Sequence, residues 1–535
     1  MINYLRRTVK GFEDKFNKVS PEVIWFAAVI LIAAAVRGIS WANTPMITVD
    51  GTVYIGEAKA IFYGQWEVIA ECHGFRLLSL YPFLIAGLFS IVQDWVFAGK
   101  AVNFAFSLAS IVFLYLLLRQ FFDYRISALA TLIVGVSPFF VGASVNILRD
   151  PIYWFFSLVG LYLFTVCIKD NNRLFLFLSS LFFLLATWQR IEASLFFVIS
   201  FCYLLCKDRD IRKSLIFLSP ALIVSIIVFL VAYFKGASVD ELHRLDDVFH
   251  KVLGSFYGYS ILQSELKELA KGIDGTTHFA LKVFLPEARM NMWLIAFGTL
   301  INKVLEALLY FLFIPSVIGF AKIKKIKADP RLIYFMLLVV SSFVALYLSI
   351  FQHWVLQSRY VALFMLPSIV FAGVGLELIV KWFSTRLKVK ELLVIIVLAC
   401  VMVFSTLPKN IQEKHSGNKI YKEIGEFVAR QEPGNRQVIN ISASIATQSY
   451  ISFYANLNAR GAICHKASKW NCWELFADDN SFIRQLKERN IKYLLWTEKT
   501  WSNNNVNIEK YRKDLRQLAR WEHSHTGEMI LFEVM

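Results

Sequence analysis

Ionisable side chains beside long apolar runs are expensive to hold, so they are the first place to look for chemistry in this 535-residue chain. Two carboxylates stand out. Asp50 lies in TVDGTVYIGEAKAIFYGQW just after the first apolar run, and Asp150 lies in NILRDPIYWFF at the start of the fourth. Each has a plain structural reading as a helix cap: Asp caps well, Gly51 tolerates the entry, and Pro151 suits a first helical position. A carboxylate can also cap a helix and accept a proton. Two of them on one outer cavity would suit general-base chemistry, or ligation of a divalent metal such as Mg or Mn by oxygen.

Three cations fall in comparable places. Arg76 follows His73-Gly74-Phe75, Arg190 lies in WQRIE with Glu192 two residues on, and Arg359 lies in QSRYV. Singly, each reads as a snorkelling anchor; jointly, they read as a phosphate cradle, because guanidinium groups bind phosphate through a bidentate fork. His73 reads as a metal ligand, a proton carrier or polar loop surface. Lys303 and Glu306, three apart, read as a structural pair.

The elements that must position these groups are membrane spans. The chain is 57% hydrophobic and 18% charged, with 48 Phe and 14 Trp and a mean hydropathy of +0.53. That leaves too little polar surface for a water-soluble globule, which excludes a secreted disulfide scaffold, a disordered regulator and a cytosolic enzyme. Eleven runs approach the length a bilayer needs: 22–39, 98–118, 127–146, 151–168, 174–189, 192–206, 214–234, 304–320, 332–350, 360–380 and 391–407.

With a cytoplasmic N-terminus, the inner segments hold 22 Lys and Arg, against five in the short outer connections and the first loop. Much of the formal charge of +16 is therefore topology signalling, and no basic tract with interleaved aromatics points to nucleic acid. The first run lacks a small-residue cleavage site and reads as a signal anchor.

These runs predict a membrane domain over 1–407, with a first outer loop at 40–97 and a second at 235–303, and a hydrophilic outer domain over 408–535. Behind Asp50, the positions Tyr54, Ala58, Ile61 and Phe62 predict an amphipathic helix along the interface. In the tail, helices are expected at 418–430, 444–456, 482–489 and 508–520, and strands at 437–442, 491–496 and 529–534. This alternation favours a small α/β domain with a mostly parallel sheet. Cys464 and Cys472 have a spacing that permits a disulfide on the oxidising side of a bacterial membrane. No P-loop, HExxH, GxSxG or zinc-spaced Cys/His set is present.

Read together, these pieces resemble the GT-C membrane glycosyltransferases that use polyprenyl-phosphate sugars, closest to the protein mannosyltransferases and the bacterial lipid A aminoarabinose transferases. The similarity is carried by D-G-x-x-Y-I-x-x-A-K at Asp50–Lys59, RLLSLYPFLIAGLF at Arg76–Phe89, YLLLRQFFD at Tyr115–Asp123, SPFF at Ser137–Phe140, the Asp150 motif, WQRIE and SRY. It runs over about residues 22–380. It implies that Asp50 is the first-loop catalytic acid, Asp150 the second outer acid and Arg76 the basic residue before the Tyr-Pro segment. The chain departs from many relatives in having Gly51 where they carry a second acid, and Arg76-Leu-Leu where they carry Lys-Pro-Pro.

The resulting expectation is a multi-pass protein of the bacterial inner membrane with an outer tail. A polyprenyl-phosphate sugar donor would enter from the bilayer, its phosphate held by Arg76, Arg190, Arg359 and Tyr360. Asp50 would act as base on a hydroxyl acceptor, in protein, lipid or glycan, with inversion. Asp150 would orient the acceptor or a cation, and Tyr54, His73 and Glu192 are candidates for touching sugar or acceptor. A lipid-linked-sugar flippase is the alternative, and it would place its ionisable groups nearer the helix midpoints.

Overall fold

The computed structural model describes residues 20–72, 78–235, 244–273, 279–308, 313–414, 416–434, 437–462, 482–501 and 508–535. Arg76, His73, Cys464 and Cys472 lie outside them. The chain forms two compact units. One comprises 1–40, 104–144 and 149–411, and the other 41–103, 145–148 and 412–535.

The first unit is helical, and the described residues of the eleven apolar runs lie largely on helix. Six helices among the described residues are long and apolar enough to cross a bilayer singly: Pro21–Ala42, Trp95–Leu118, Asp150–Asp170, Pro330–Gln352, Ser358–Leu387 and the one starting at Glu391. Tyr124–Val136 and Pro138–Val145 make a seventh if counted as one span, bent by 56°. Among the described residues, then, helices long enough to span singly number six, or seven with the bent pair, and the remaining apolar runs fall on shorter or interrupted helices. Proline at 138 forces the bend, and Arg190 is extended (φ −143°, ψ 122°), so helix Arg173–Gln189 stops at 17 residues.

Local chemistry sets the helix starts. Asp123 accepts from the Arg125 and Ile126 amides at 2.7 and 3.0 Å, and Asn172 from those of Leu174 and Phe175 at 2.9 and 3.3 Å. Left-handed residues Asn171 and Lys388 end two long helices. Small residues let helices close up: a Cβ on Gly375 would stand 1.9 Å from the Pro315 carbonyl oxygen, and one on Gly319 2.0 Å from that of Phe371. Helices Phe313–Phe320 and Ala362–Leu387 therefore touch backbone to backbone, as close packing in lipid requires. Lys303 and Glu306 do form an ion pair, at 2.7 Å.

Arg37, a residue the sequence reading passed over, is 1% exposed in the first span. Its guanidinium donates to the Ser107 hydroxyl at 2.8 Å and to the carbonyls of Ala33 and Gly135 at 3.1 and 2.6 Å. One buried cation thereby joins three helices and leaves no charge facing lipid unanswered there.

In the second unit the tail builds a four-stranded sheet. Its strands are β1 Ile441–Ser442, β2 Tyr493–Thr497, β3 Leu515–His523 and β4 Gly527–Val534, in the order β1-β2-β4-β3. Only β1 and β2 run parallel. The expected helix at 508–520 is instead a short 3-10 turn followed by β3, and the sheet is mixed. The physical reason is the turn at Gly527 (φ +70°), which folds β3 back on β4 as a hairpin. A bulge between Gln517 and Ala519 breaks the alternation that would have marked a strand. Phe482, Leu486, Ile491, Leu494, Leu515 and Phe532 form its core.

Glu432, just past helix Lys419–Gln431, accepts from the Tyr493 hydroxyl at 2.7 Å and pairs with Lys492. These two contacts hold its carboxyl below the ordinary glutamate value. A folded-state value below the unfolded one stabilises above the unfolded pKa and is lost as pH falls through the folded one. Acidification from pH 6 to below 4 is therefore expected to lower the melting temperature of wild type more than that of Glu432→Gln, measured by scanning fluorimetry in detergent; parallel pH profiles would contradict it.

Candidate functional site

In the second unit, Asp50 lies on helix Val49–Phe62. Its expected role as the cap is corrected: Thr48 is the cap, its hydroxyl accepting from the Gly51 amide at 3.1 Å. Asp50 occupies the first turn, half-exposed, where the helix macrodipole favours a carboxylate. The expected amphipathic pattern is corrected too. Gly51, Thr52 and every residue from Ile55 to Ala60 are buried, because helix Leu80–Val92, helix Ile445–Ala455 and Ile147 cover it.

Gly51 has a steric reason to be glycine. A Cβ there would meet the Ile147 Cβ at 3.1 Å, and Gly99 backs on the same side chain at 3.0 Å. Tyr54 is half-buried, its ring 5.4 Å from that of Tyr81, whose hydroxyl donates to the Gly99 carbonyl at 2.8 Å. Tyr450 stands close enough to Asp50 for their charges to interact, and burial raises its phenol above the ordinary value.

In the first unit, four of the predicted residues come together. Asp150 is not the cap of its helix either: Arg149 is, and Asp150 is the first helical residue. Its carboxylate, 0% exposed, lies 3.1 Å from the Arg190 guanidinium, 3% exposed. Arg190 lies over the Tyr360 ring, 4.8 Å from its centroid, and Arg359 approaches the same ring at 5.9 Å. Arg359 also donates to the Gln357 side chain at 2.6 Å. Glu192 sits half-buried in the 3-10 turn Ile191–Ala193 that follows Arg190. Arg190 is thus no snorkelling anchor but half of a buried ion pair, held in a break between helices.

Around this pair are polar groups the sequence reading missed. Gln189 is fully buried and neither polar atom of its amide has a partner within the protein; the Trp154 indole N–H is likewise unpartnered. Tyr153 and Ser157 lie on the Asp150 helix, three and seven residues on. That i, i+3, i+7 spacing puts all three on one face, and it was the available sequence signal. The Asp150 carboxylate faces a guanidinium, and among the described residues no three His, Cys, Asp or Glu side chains stand together as metal ligands. These residues do not fit a divalent cation cage, so no step below runs through one.

Residues 79–234 match the family of dolichyl-phosphate-mannose-protein mannosyltransferases. No curated protein sequence matches the chain. Among solved structures, ArnT from Cupriavidus metallidurans bound to undecaprenyl phosphate is similar with a TM-score of 0.58 at 11% identity, over 96% of this chain and 97% of that one. The Archaeoglobus fulgidus oligosaccharyltransferase in complex with Zn and sulfate is similar with a TM-score of 0.56 at 12% identity, over 94% of this chain and 72% of that one. At these identities the likeness is one of fold. The chain has the GT-C fold, a multi-pass helical membrane architecture with a small C-terminal sheet, as the resemblance in its motifs implied.

The buried pair gives a stability prediction. Removing one partner strands the other charge, at a cost of about 3–5 kcal/mol, whereas removing both restores neutrality. Asp150→Asn and Arg190→Gln should each lower thermal stability sharply in detergent, and the double variant carrying both should recover much of the loss. Additive losses in the double variant would contradict the pairing.

Proposed function

We propose, from the GT-C fold and the placement of these residues, that the chain is a membrane glycosyltransferase. It moves a sugar from a polyprenyl-phosphate donor to a hydroxyl acceptor on the outer face of a bacterial inner membrane, with the N-terminus cytoplasmic and residues 408–535 outside. The observation that carries the reading is Asp50: a half-exposed carboxylate on the first turn of a helix that is otherwise largely buried. A base must reach its substrate while its backbone stays fixed, and this arrangement provides both.

The roles follow from the chemistry. Arg190 and Arg359, both against Tyr360, hold the donor phosphate, and Arg76 is assigned to the same task on the strength of the motif resemblance. Asp50 takes the proton of the acceptor hydroxyl as that oxygen attacks the anomeric carbon. The bond from that carbon to the phosphate oxygen breaks, and the polyprenyl phosphate leaves with the electron pair. A single displacement of this kind inverts the anomeric configuration. Asp150 holds Arg190 in place and neutralises it in the absence of donor, and Tyr54 and Glu192 are assigned to contacts with the sugar or acceptor.

Asp50→Asn keeps the shape and removes the base. It is expected to fold, to bind donor, and to lose transfer by about 10²–10⁴-fold. The check is transfer of label from a panel of radiolabelled polyprenyl-phosphate sugars to a membrane extract, by purified wild type and variant in nanodiscs. Wild-type turnover in the variant would remove Asp50 from the mechanism. Saturable donor binding with no transfer by either protein would favour a flippase.

A further inference from the structure

The helix that carries Asp50 is tied at both ends to the C-terminal part of its own unit, about 370 to 410 residues away in sequence. Ahead of it, the Ile47 amide donates to the Tyr454 hydroxyl at 3.3 Å, and the Lys414 amide donates to the Asn43 carbonyl at 3.1 Å. Near its far end, the Lys59 ammonium donates to the carbonyls of Asn456 and Leu457 at 2.9 and 3.2 Å. Just beyond, the Ala462 amide donates to the Gln65 side chain at 2.9 Å.

Lys59 is the unusual member. It is 5% exposed, and burial pushes its ammonium down to about 8, a measure of what it costs to hold a charge there. An apolar side chain of that length would fill the space without that cost. What the ammonium adds is direction. It is satisfied by the carbonyls of the C-cap residue Asn456 and of Leu457, just past helix Ile445–Ala455, the end of a helix at which a cation is favoured. Asn456, whose carbonyl it meets, also grips the segment leading into β1: its side chain accepts from the Ile439 amide at 2.6 Å and donates to the Ile439 carbonyl at 2.9 Å. Lys59, Asn456 and Ile439 thus form a continuous polar line from the Asp50 helix to the sheet. Tyr454, 4% exposed on the same tail helix, supplies the second hold.

We propose that the C-terminal α/β domain is a clamp on helix Val49–Phe62, and that Lys59 and Tyr454 are the positioning residues through which it sets Asp50 for reaction. The catalytic half of this inference rests on the reading of Asp50 as base; the mechanical half does not.

Hydrogen–deuterium exchange on the full chain in nanodiscs reads the mechanical half, with Lys59→Met, Lys59→Arg and Tyr454→Phe. Amides of residues 45–62 should exchange about five- to tenfold faster in Lys59→Met and Tyr454→Phe, the effect of one lost hydrogen bond on a local opening. Those of β2 and β4 should be unchanged, and Lys59→Arg should restore wild-type exchange. In the transfer assay, kcat should fall by a similar factor while KM for the donor stays constant, since donor contacts are untouched. Unchanged exchange at 45–62 in both variants would overturn the clamp, and so would acceleration spread equally over the sheet, which marks general destabilisation. Faster exchange with undiminished kcat would uphold the clamp and count against Asp50 as the base.

Discussion

A charge withdrawn from water has to find its partner inside the protein, and in this chain that constraint fixes where helices start, break and meet. Asp150 and Arg190 show it most directly. Both are buried, so the carboxylate at the first residue of one helix and the guanidinium just past the end of another face each other. The contact sets the register of helices Asp150–Asp170 and Arg173–Gln189 and holds Arg190 extended, where its guanidinium lies against Tyr360. Arg37 and Lys59 obey the same rule with backbone carbonyls in place of a carboxylate.

Where these groups fall along the helices bears on what the protein does. Asp50 is in a first turn, Asp150 is a first residue, Arg190 sits in a break, and Arg359 and Tyr360 form the 3-10 turn ahead of Ala362–Leu387. Transporters commonly place their ionisable ligands at interrupted helices near the middle of the bilayer. In each unit the proposed groups stand at helix ends, which is where the proposed transfer from a lipid headgroup would use them.

Much of this was legible in the sequence, for reasons that differ by element. Apolar runs located the six helices that, among the described residues, are long and apolar enough to cross a bilayer singly, because lipid imposes one composition on them. Whether a run crosses in one piece was not legible, since a proline at 138 and an extended Arg190 act through backbone geometry that hydropathy averages away. In the tail, β2 and β4 showed as dense apolar stretches. β3 did not: Leu515–His523 alternates imperfectly around a bulge, and helical spacing fitted its apolar residues as well. Asp50, Asp150, Arg190 and Arg359 stood out as candidates because charges beside apolar runs are conspicuous, and Tyr360 stood out as the neighbour of Arg359. Lys59 and Tyr454 were not singled out, as their partners are backbone groups far away in sequence. Gly51 acquires its meaning only from Ile147, which no local pattern connects to it.

The central claim is a direct, single displacement from a polyprenyl-phosphate sugar, and the stereochemistry of the product tests it most directly. Purified protein would be given a donor of defined anomeric configuration with its acceptor, and the configuration of the new glycosidic bond read by NMR from its anomeric coupling constants. The account predicts inversion, with one polyprenyl phosphate released per sugar transferred. Retention would require a covalent or otherwise two-step route and would contradict it.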